Sequence, residues 1–256
     1  MRTSLRTLVT TSAALLLAAI PALAQAPASG VFDSGRLVVF SHGEPVATED
    51  FEYELRHDSL FVTSRVDRHV RNPDGTSSPY MKSMELVTHA DDAGILLYIS
   101  TEKFGGHKVN RTLLPSDTAI TVTVEKNDDF GTADRLDRLP GRLYVLDAGM
   151  FTLFDVIARN LHGRIFGERP IALVTMGNNN KTMQATATPD GQDTLRWGAR
   201  PVVADRITLA DSTSTFTIYT NSAGKMLRLE NAAADLVVMR EPPAVPALAK
   251  RRPKPH

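Results

Sequence analysis

The sequence predicts a mainly β protein in which a strongly curved antiparallel sheet packs around one central amphipathic helix. Most of the chain alternates apolar and polar residues with a period of two, and short segments rich in Gly, Pro, Asn and Asp separate these stretches. One long segment instead has helical periodicity. Two architectures satisfy the pattern, a half-barrel wrapped around the helix and a sandwich of two sheets.

The predicted helix covers residues 147–163 in the middle of the chain. Its apolar residues recur at helical spacing, at Met150, Phe154, Ile157 and Leu161. Asp147 is expected to cap the first turn, and Gly163 is expected to end the helix in a left-handed conformation. The apolar face needs a partner surface, and the sheet is the candidate.

Strands are predicted on both sides of the helix. In Val46–Arg56, apolar and acidic side chains alternate, as expected for a half-buried strand with a solvated face. Residues 126–139 are predicted to form a polar loop, and Pro189-Asp190-Gly191 is predicted to be a turn. A division into two subdomains near residue 139 remains open.

The first 24 residues have the form of a secretory signal peptide. Arg2 and Arg6 precede an apolar core at Ala13–Ile20, and Ala22-Leu23-Ala24 supplies small residues for cleavage. The apolar core is shorter than the roughly 20 residues that span a membrane. We therefore expect export to the periplasm or the extracellular space, without an integral membrane segment in the mature form.

The rest of the chain divides by composition. Residues 25–35 are predicted to be a flexible lead-in, residues 36–240 a single β-rich domain, and residues 241–256 a disordered, Pro-rich basic tail. Without its leader the chain carries 27 basic against 29 acidic side chains, since Arg2 and Arg6 are lost. This balance does not favour a nucleic-acid partner, which requires a clustered basic face.

The sequence contains no specific catalytic motif. It has no cysteine, which excludes disulfides, thiolate metal sites and cysteine nucleophiles. Neighbouring strands could bring His57 and His69 together, but a metal site needs at least three converging ligands. We predict no catalytic residue, no metal site and no cofactor, and an enzyme is the less favoured class. A hydrolase with a site that the sequence does not reveal stays open.

The helix suggests a different kind of site. If the sheet and the helix do not fill each other completely, an apolar cavity remains that suits an acyl chain or another apolar ligand. The residues predicted to line this cavity are Met150, Phe151, Phe154, Ile157, Leu161, Phe166, Phe216 and Tyr219. A fully packed core is the simpler interpretation of the same residues.

An interaction protein is the alternative from another functional class. It would use an exposed sheet edge and the basic tail to contact a partner. The tail places four cations close together, which suits an anionic envelope polymer: Lys250, Arg251, Arg252 and Lys254.

Two segments resemble a known group of proteins. Phe216–Arg240 has an aromatic strand, a turn ending in Gly, a K-x-L-R-L-E strand and a last strand ending in Arg, and Gly43–Leu55 resembles an opening strand. Both are similar to secreted bacterial proteins of unknown function that are related in shape to the LolA/LolB-like lipoprotein carriers. The resemblance implies a half-open barrel with a helical plug and the binding of a lipid in its hollow. It matches no ligand-binding residue position by position.

Overall fold

The structure is a computed structural model that describes residues 29–243, except residues 73, 92, 128, 165 and 166 and the side chain of Phe130. The predicted signal peptide, the first part of the predicted lead-in and residues 244–256 of the predicted tail lie outside the described residues.

The described residues form fifteen strands and one α-helix. The strands before the helix are β1 (Gly30–Ser41), β2 (Glu44–Arg56), β3 (Ser59–Arg71), β4 (Ser77–His89), β5 (Ile95–Phe104), β6 (His107–Pro115), β7 (Ala119–Lys126), β8 (Asp129–Asp137) and β9 (Leu143–Asp147). The helix is α1 (Thr152–Leu161). The strands after it are β10 (Arg169–Met176), β11 (Lys181–Trp197), β12 (Arg200–Ala210), β13 (Thr215–Thr220), β14 (Met226–Asn231) and β15 (Leu236–Arg240).

All fifteen strands belong to one strongly curved sheet that does not close. Strands β1 to β8 follow one another as an antiparallel meander, and β10 to β15 form a second meander that returns until β15 pairs with β1. The first and last strands therefore join the two halves in the middle of the sheet. The predicted curved sheet around one helix is confirmed. Residue 139 lies between β8 and β9, which are both part of this sheet.

The connection between β9 and β10 determines the position of the helix. These strands form a parallel pair, whereas every other neighbouring pair in the described sheet is antiparallel. A parallel pair needs a crossover, and α1 supplies it. The crossover carries the helix across the concave face of the sheet, where its apolar residues enter the core. No helix in the described part of the chain has the length and apolar character required to span a membrane.

The helix is shorter than predicted. It begins at Thr152, not near Asp147, because the chain first completes β9 and then turns at Ala148 and Gly149. Asp147 is therefore not the N-cap. The helix also ends two residues earlier than predicted, at Leu161 with His162 as its C-cap; Gly163, in the turn that follows, has the predicted left-handed conformation, with φ of +67°.

Three predictions about the strands are wrong. The predicted loop of residues 126–139 contains β8, whose polar composition suits an edge strand that pairs on one side. The predicted turn at Pro189-Asp190-Gly191 is a bulge inside the continuous strand β11. The predicted lead-in is wrong for residues 30–35, because β1 begins at Gly30 and pairs there with β2.

Candidate functional site

The first turn of α1 is capped by a side chain from the sheet. Glu49 on β2 is fully buried, and its carboxylate accepts hydrogen bonds from the backbone N–H groups of Phe151, at 2.7 Å, and Thr152, at 3.1 Å. The hydroxyl of Ser64 also donates to this carboxylate. Burial raises the pKa of Glu49, and the three hydrogen bonds oppose this effect. The carboxylate also lies where the helix dipole favours a negative charge.

A buried ion pair fixes the turn between β9 and α1. Lys82 Nζ on β4 lies 2.5 Å from Asp147 Oδ1 and donates a second hydrogen bond of 2.9 Å to the carbonyl of Ala148. The hydroxyl of Tyr98 on β5 donates to Asp147 Oδ2 at 2.6 Å. The two charged side chains are almost completely excluded from solvent. Removal of either one would leave its partner as an unpaired buried charge, which is strongly destabilising.

A cleft of about 640 Å³ opens beside this end of the helix, and we call it the α1 cleft. Its apolar lining is Val39, Val46, Ala47, Val66, Phe151 and Leu236. Its charged lining is Arg68, Lys82, Glu102, Arg111 and Asp147. The remaining lining residues are Ser41, Tyr80, Ala148, Gly149, Gly177 and Asn178. The α1 cleft thus combines apolar walls with a few charged groups, which is typical of small-molecule sites.

Two arginines of the α1 cleft lack a partner among the described residues, Arg111 for one hydrogen-bond donor and Arg68 for an ion pair. Arg111 on β6 is only 6% exposed; its guanidinium donates to Glu102 at 3.0 Å, while its buried Nε has no hydrogen-bond partner among the described residues. Arg68 on β3 lies over the ring of Tyr80, 4.2 Å from the centroid, and makes no ion pair within the described residues. Burial, followed by the charge of Glu102, raises the pKa of Tyr80 to about 12, so the phenol stays neutral.

A second buried polar cluster extends along α1 from Asp155 in its first turn to Arg159 in its last turn. Asp155 accepts hydrogen bonds from the hydroxyl of Tyr53, at 2.8 Å, from Arg240, at 2.8 Å, and from the backbone N–H of Met226, at 2.6 Å. Arg159, one turn later, also donates to Asp155, at 3.0 Å. These contacts join the helix to β2, β14 and β15.

Asp33 on β1 completes this second cluster. Lys225 donates to it at 2.9 Å and Arg240 at 3.1 Å, and Arg159 forms a further ion pair with it. Burial raises the pKa of Asp33, but the hydrogen bond from Lys225 and the charges of Arg240 and Arg159 outweigh burial and hold the pKa below its ordinary value. Because each cation here already has a carboxylate partner, the cluster is best explained as a structural anchor for the helix.

Most of the residues predicted to line an apolar cavity lie in the core. Met150, Phe154, Ile157 and Leu161 are buried there, and Phe151 and Phe216 pack against them. The rings of Phe154 and Phe216 have centroids 4.7 Å apart. Tyr219 instead lies in a separate small cluster with Ala204 and Leu227, and Phe166 is outside the described residues. Phe151 is the member of this set that also lines the α1 cleft.

The histidine pair considered from the sequence does not form. His57 lies in the turn between β2 and β3, whereas His69 lies near the opposite end of β3. Within the described residues, no group of three or more His, Asp or Glu side chains has an arrangement that could hold a metal ion.

The sequence could not reveal the charged groups of the α1 cleft as a set. Lys82 and Asp147 are 65 residues apart, and Arg111 is on a different strand from either. The available signal was the placement of single charged residues at the inward positions of alternating strands. In β4, for example, Lys82 shares the inward face with Met84 and Leu86.

Comparison with solved structures shows a similar fold. A β-barrel-like protein of the domain of unknown function DUF1849, from Brucella abortus, aligns with a TM-score of 0.52 and 9% sequence identity, over 82% of this chain and 96% of that one. At this identity the likeness establishes the fold alone. No protein-family model and no curated protein matches the sequence.

A second solved structure, a DUF1089 family protein from Pseudomonas aeruginosa, aligns with a TM-score of 0.43 and 13% identity, over 71% of this chain and 88% of that one. Both similar structures are therefore described as proteins of unknown function. The LolA/LolB-like resemblance is not shown by these comparisons and stays a prediction.

Proposed function

We propose that this protein is a non-enzymatic binding protein of the bacterial envelope that holds a lipid-like, amphipathic ligand in the α1 cleft. Export follows from the predicted signal peptide. The fold, a curved sheet with one helix on its concave face, is suited to enclosing an apolar molecule between sheet and helix.

The composition of the α1 cleft is the observation that carries this proposal. Its volume of about 640 Å³ lies within the range of about 300–1,000 Å³ that is typical of small-ligand sites. Apolar side chains from β1, β2, β3 and β15 contribute to one wall, and Phe151 at the start of α1 contributes to another. An acyl chain would gain free energy by leaving water for these walls.

The position of the ligand differs from the sequence-based expectation. The apolar face of α1 is occupied by core side chains, so we place the ligand beside the start of the helix and not along its whole length. Val46 is 43% exposed although it is a large apolar residue, and it lines the α1 cleft. Covering such a side chain is what a bound acyl chain would do.

Native mass spectrometry of the mature protein, purified from a periplasmic extract without detergent, tests the proposal. We expect additional mass in lipid-sized increments that disappears when the protein is unfolded. A bare mass of the mature chain that does not change after incubation with mixed lipids would contradict the proposal.

A pair of matched variants then locates the ligand. Val46→Glu places a charge on the wall of the α1 cleft, and we expect it to remove most of the bound mass. Val203→Glu is the control, because Val203 is also an exposed valine on a strand, 59% exposed, but does not line this cleft. Equal retention of lipid by both variants would place the ligand elsewhere. Thermal unfolding of both variants checks that the fold is intact.

A further inference from the structure

The α1 cleft contains cationic groups whose hydrogen-bonding capacity is not fully used by the residues that the structure describes. Lys82 is matched by Asp147, and one terminal nitrogen of Arg111 is matched by Glu102. The Nε of Arg111 has no acceptor, and Arg68 has no carboxylate partner, within the described residues. The Nε of Arg111 is a buried donor without a partner, which is costly, so an acceptor brought by a ligand would relieve that cost, whereas Arg68 is exposed and accessible to the same ligand.

The sheet register places these groups side by side. Arg68 on β3 lies opposite Tyr80 on β4, and Lys82, two residues further along β4, lies opposite Glu102 on β5. Arg111 lies on the next strand, β6. All five side chains line the α1 cleft, three of them cationic and one of them anionic.

The positive charge continues into the neighbouring cavity, which has a volume of about 750 Å³ and shares Arg68 and Tyr80 with the α1 cleft. Its lining includes four cations and one carboxylate: Arg65, Arg68, Lys103, Lys108 and Asp67. The whole chain has no net charge. Arg65 is matched by Asp67, and Arg68 adds a positive charge where the two cavities meet, which would attract anions.

From these contacts we infer that the α1 cleft selects amphipathic ligands with an anionic oxygen head group, a carboxylate or a phosphate, which Arg68 and Arg111 hold while the acyl chain lies on the apolar walls. Guanidinium groups present donors in a planar fork that fits both kinds of oxyanion. This inference rests on the proposed lipid-binding function and specifies the head group.

The experiment compares ligands that differ only at the head group. Titration calorimetry of the purified mature chain at neutral pH would use a saturated fatty acid and the alcohol of the same chain length. A lysophosphatidic acid and the corresponding monoacylglycerol form a second pair. We expect the anionic member of at least one pair to bind about tenfold or more tightly than its neutral counterpart.

Variants of Arg68 and Arg111 test whether these two side chains cause the preference for the anionic ligand. Arg68→Gln should remove most of the preference for the anion, measured as the ratio of the affinities for the anionic and neutral members of a pair. Arg71→Gln is the matched control, since Arg71 is an exposed arginine on the same strand but lines neither the α1 cleft nor the neighbouring cavity. Arg111→Lys keeps the charge but removes the fork, so it should weaken binding of the anion. If that variant does not fold, Arg68→Gln decides the matter by itself.

Each outcome separates this inference from the proposed function. If the wild type binds anionic and neutral ligands equally well, the head-group inference is wrong, while lipid binding stands. If it binds neither, the proposed function fails as well. If inorganic phosphate competes at the same concentrations as the lysophosphatidic acid, the site recognises a free anion. The inference that the bound anionic group belongs to a lipid would then be wrong.

Discussion

The carboxylate of Glu49 accepts a hydrogen bond of 2.7 Å from the backbone N–H of Phe151, although the two residues are 102 positions apart. The residue at the N-cap position, Phe151, makes no side-chain cap of its own. A strand residue therefore does for α1 what a local Ser, Thr, Asp or Asn does for most helices. This contact ties the start of the helix, and with it one wall of the α1 cleft, to β2.

Glu49→Ala should lower the free energy of unfolding by about 2–4 kcal/mol, because two backbone donors at the start of α1 and the hydroxyl of Ser64 lose their acceptor in a buried position. Urea unfolding at neutral pH measures this loss. Glu52→Ala, at an exposed position on the same strand, is the control and should change stability by less than about 0.5 kcal/mol. Similar effects of the two variants would contradict the capping role.

Asp33 should make stability depend on pH. Because the folded state lowers its pKa below the ordinary value of 3.8, the unfolded chain takes up the proton first as the pH falls. Its contribution is therefore complete at neutral pH and is lost as the pH falls below 3.8 and through the lowered pKa of the folded state.

Asp33→Asn tests this dependence. We expect the variant to be less stable than the wild type by about 2–4 kcal/mol at neutral pH, because it breaks buried ion pairs. The difference should shrink toward about pH 2. Asp67→Asn removes an exposed ion pair and should cost at most about 1 kcal/mol. A difference for Asp33→Asn that stays constant over the whole pH range would be inconsistent with the lowered pKa.

Phe154 should be a major contributor to stability, because its side chain is buried between α1 and the sheet and its ring packs on that of Phe216. Phe154→Ala is expected to cost about 3–5 kcal/mol, as measured by urea unfolding. The matched control is Phe32→Ala, since Phe32 is 53% exposed and should cost about 1 kcal/mol or less. Equal losses in the two variants would show that the helix face is not packed as described.

The two ends of the curved sheet should approach each other in solution. Asn180, in the turn before β11, donates a hydrogen bond of 3.0 Å to Asp134 on the edge strand β8. Because the chain has no cysteine, a protein with Asp134→Cys and Asn180→Cys carries one reactive pair. A short bismaleimide should link this pair within one molecule, as mass spectrometry would show.

Cross-linking of Asp134→Cys with Val203→Cys on β12 is the control for the sheet ends. We expect no intramolecular link in that second protein. If the linker joins neither pair, or both pairs equally, the sheet ends are not held together in the way the hydrogen bond indicates.

Prediction from the sequence succeeded where a pattern repeats over neighbouring residues. The alternation of apolar and polar residues in β2 and β7 was sufficient to identify both strands, and the spacing of Phe154, Ile157 and Leu161 was sufficient to identify the helix. It failed at β8, since an edge strand needs less apolar surface and its composition resembles that of a loop.

The candidate site was not predictable in the same way. The sequence directed attention to the aromatic and aliphatic face of α1, and the structure places most of those residues in the core. The positions of Arg68 and Arg111 within their strands are a weak local signal for binding, because a single arginine on a strand usually faces solvent. Their common position in one cleft depends on the pairing of β3 to β6.

By itself, the sequence determined the predominance of strands and the presence of the helix α1, because both are encoded in the composition and periodicity of adjacent residues. The tertiary structure decided the rest. The parallel pairing of β9 with β10 placed α1 on the concave face, and the sheet register brought Glu49, Lys82 and Arg111 to the start of the helix. Such contacts join residues that are far apart in the chain. The free energy of each contact depends on the distance between its two side chains, and that distance is set only when the sheet forms.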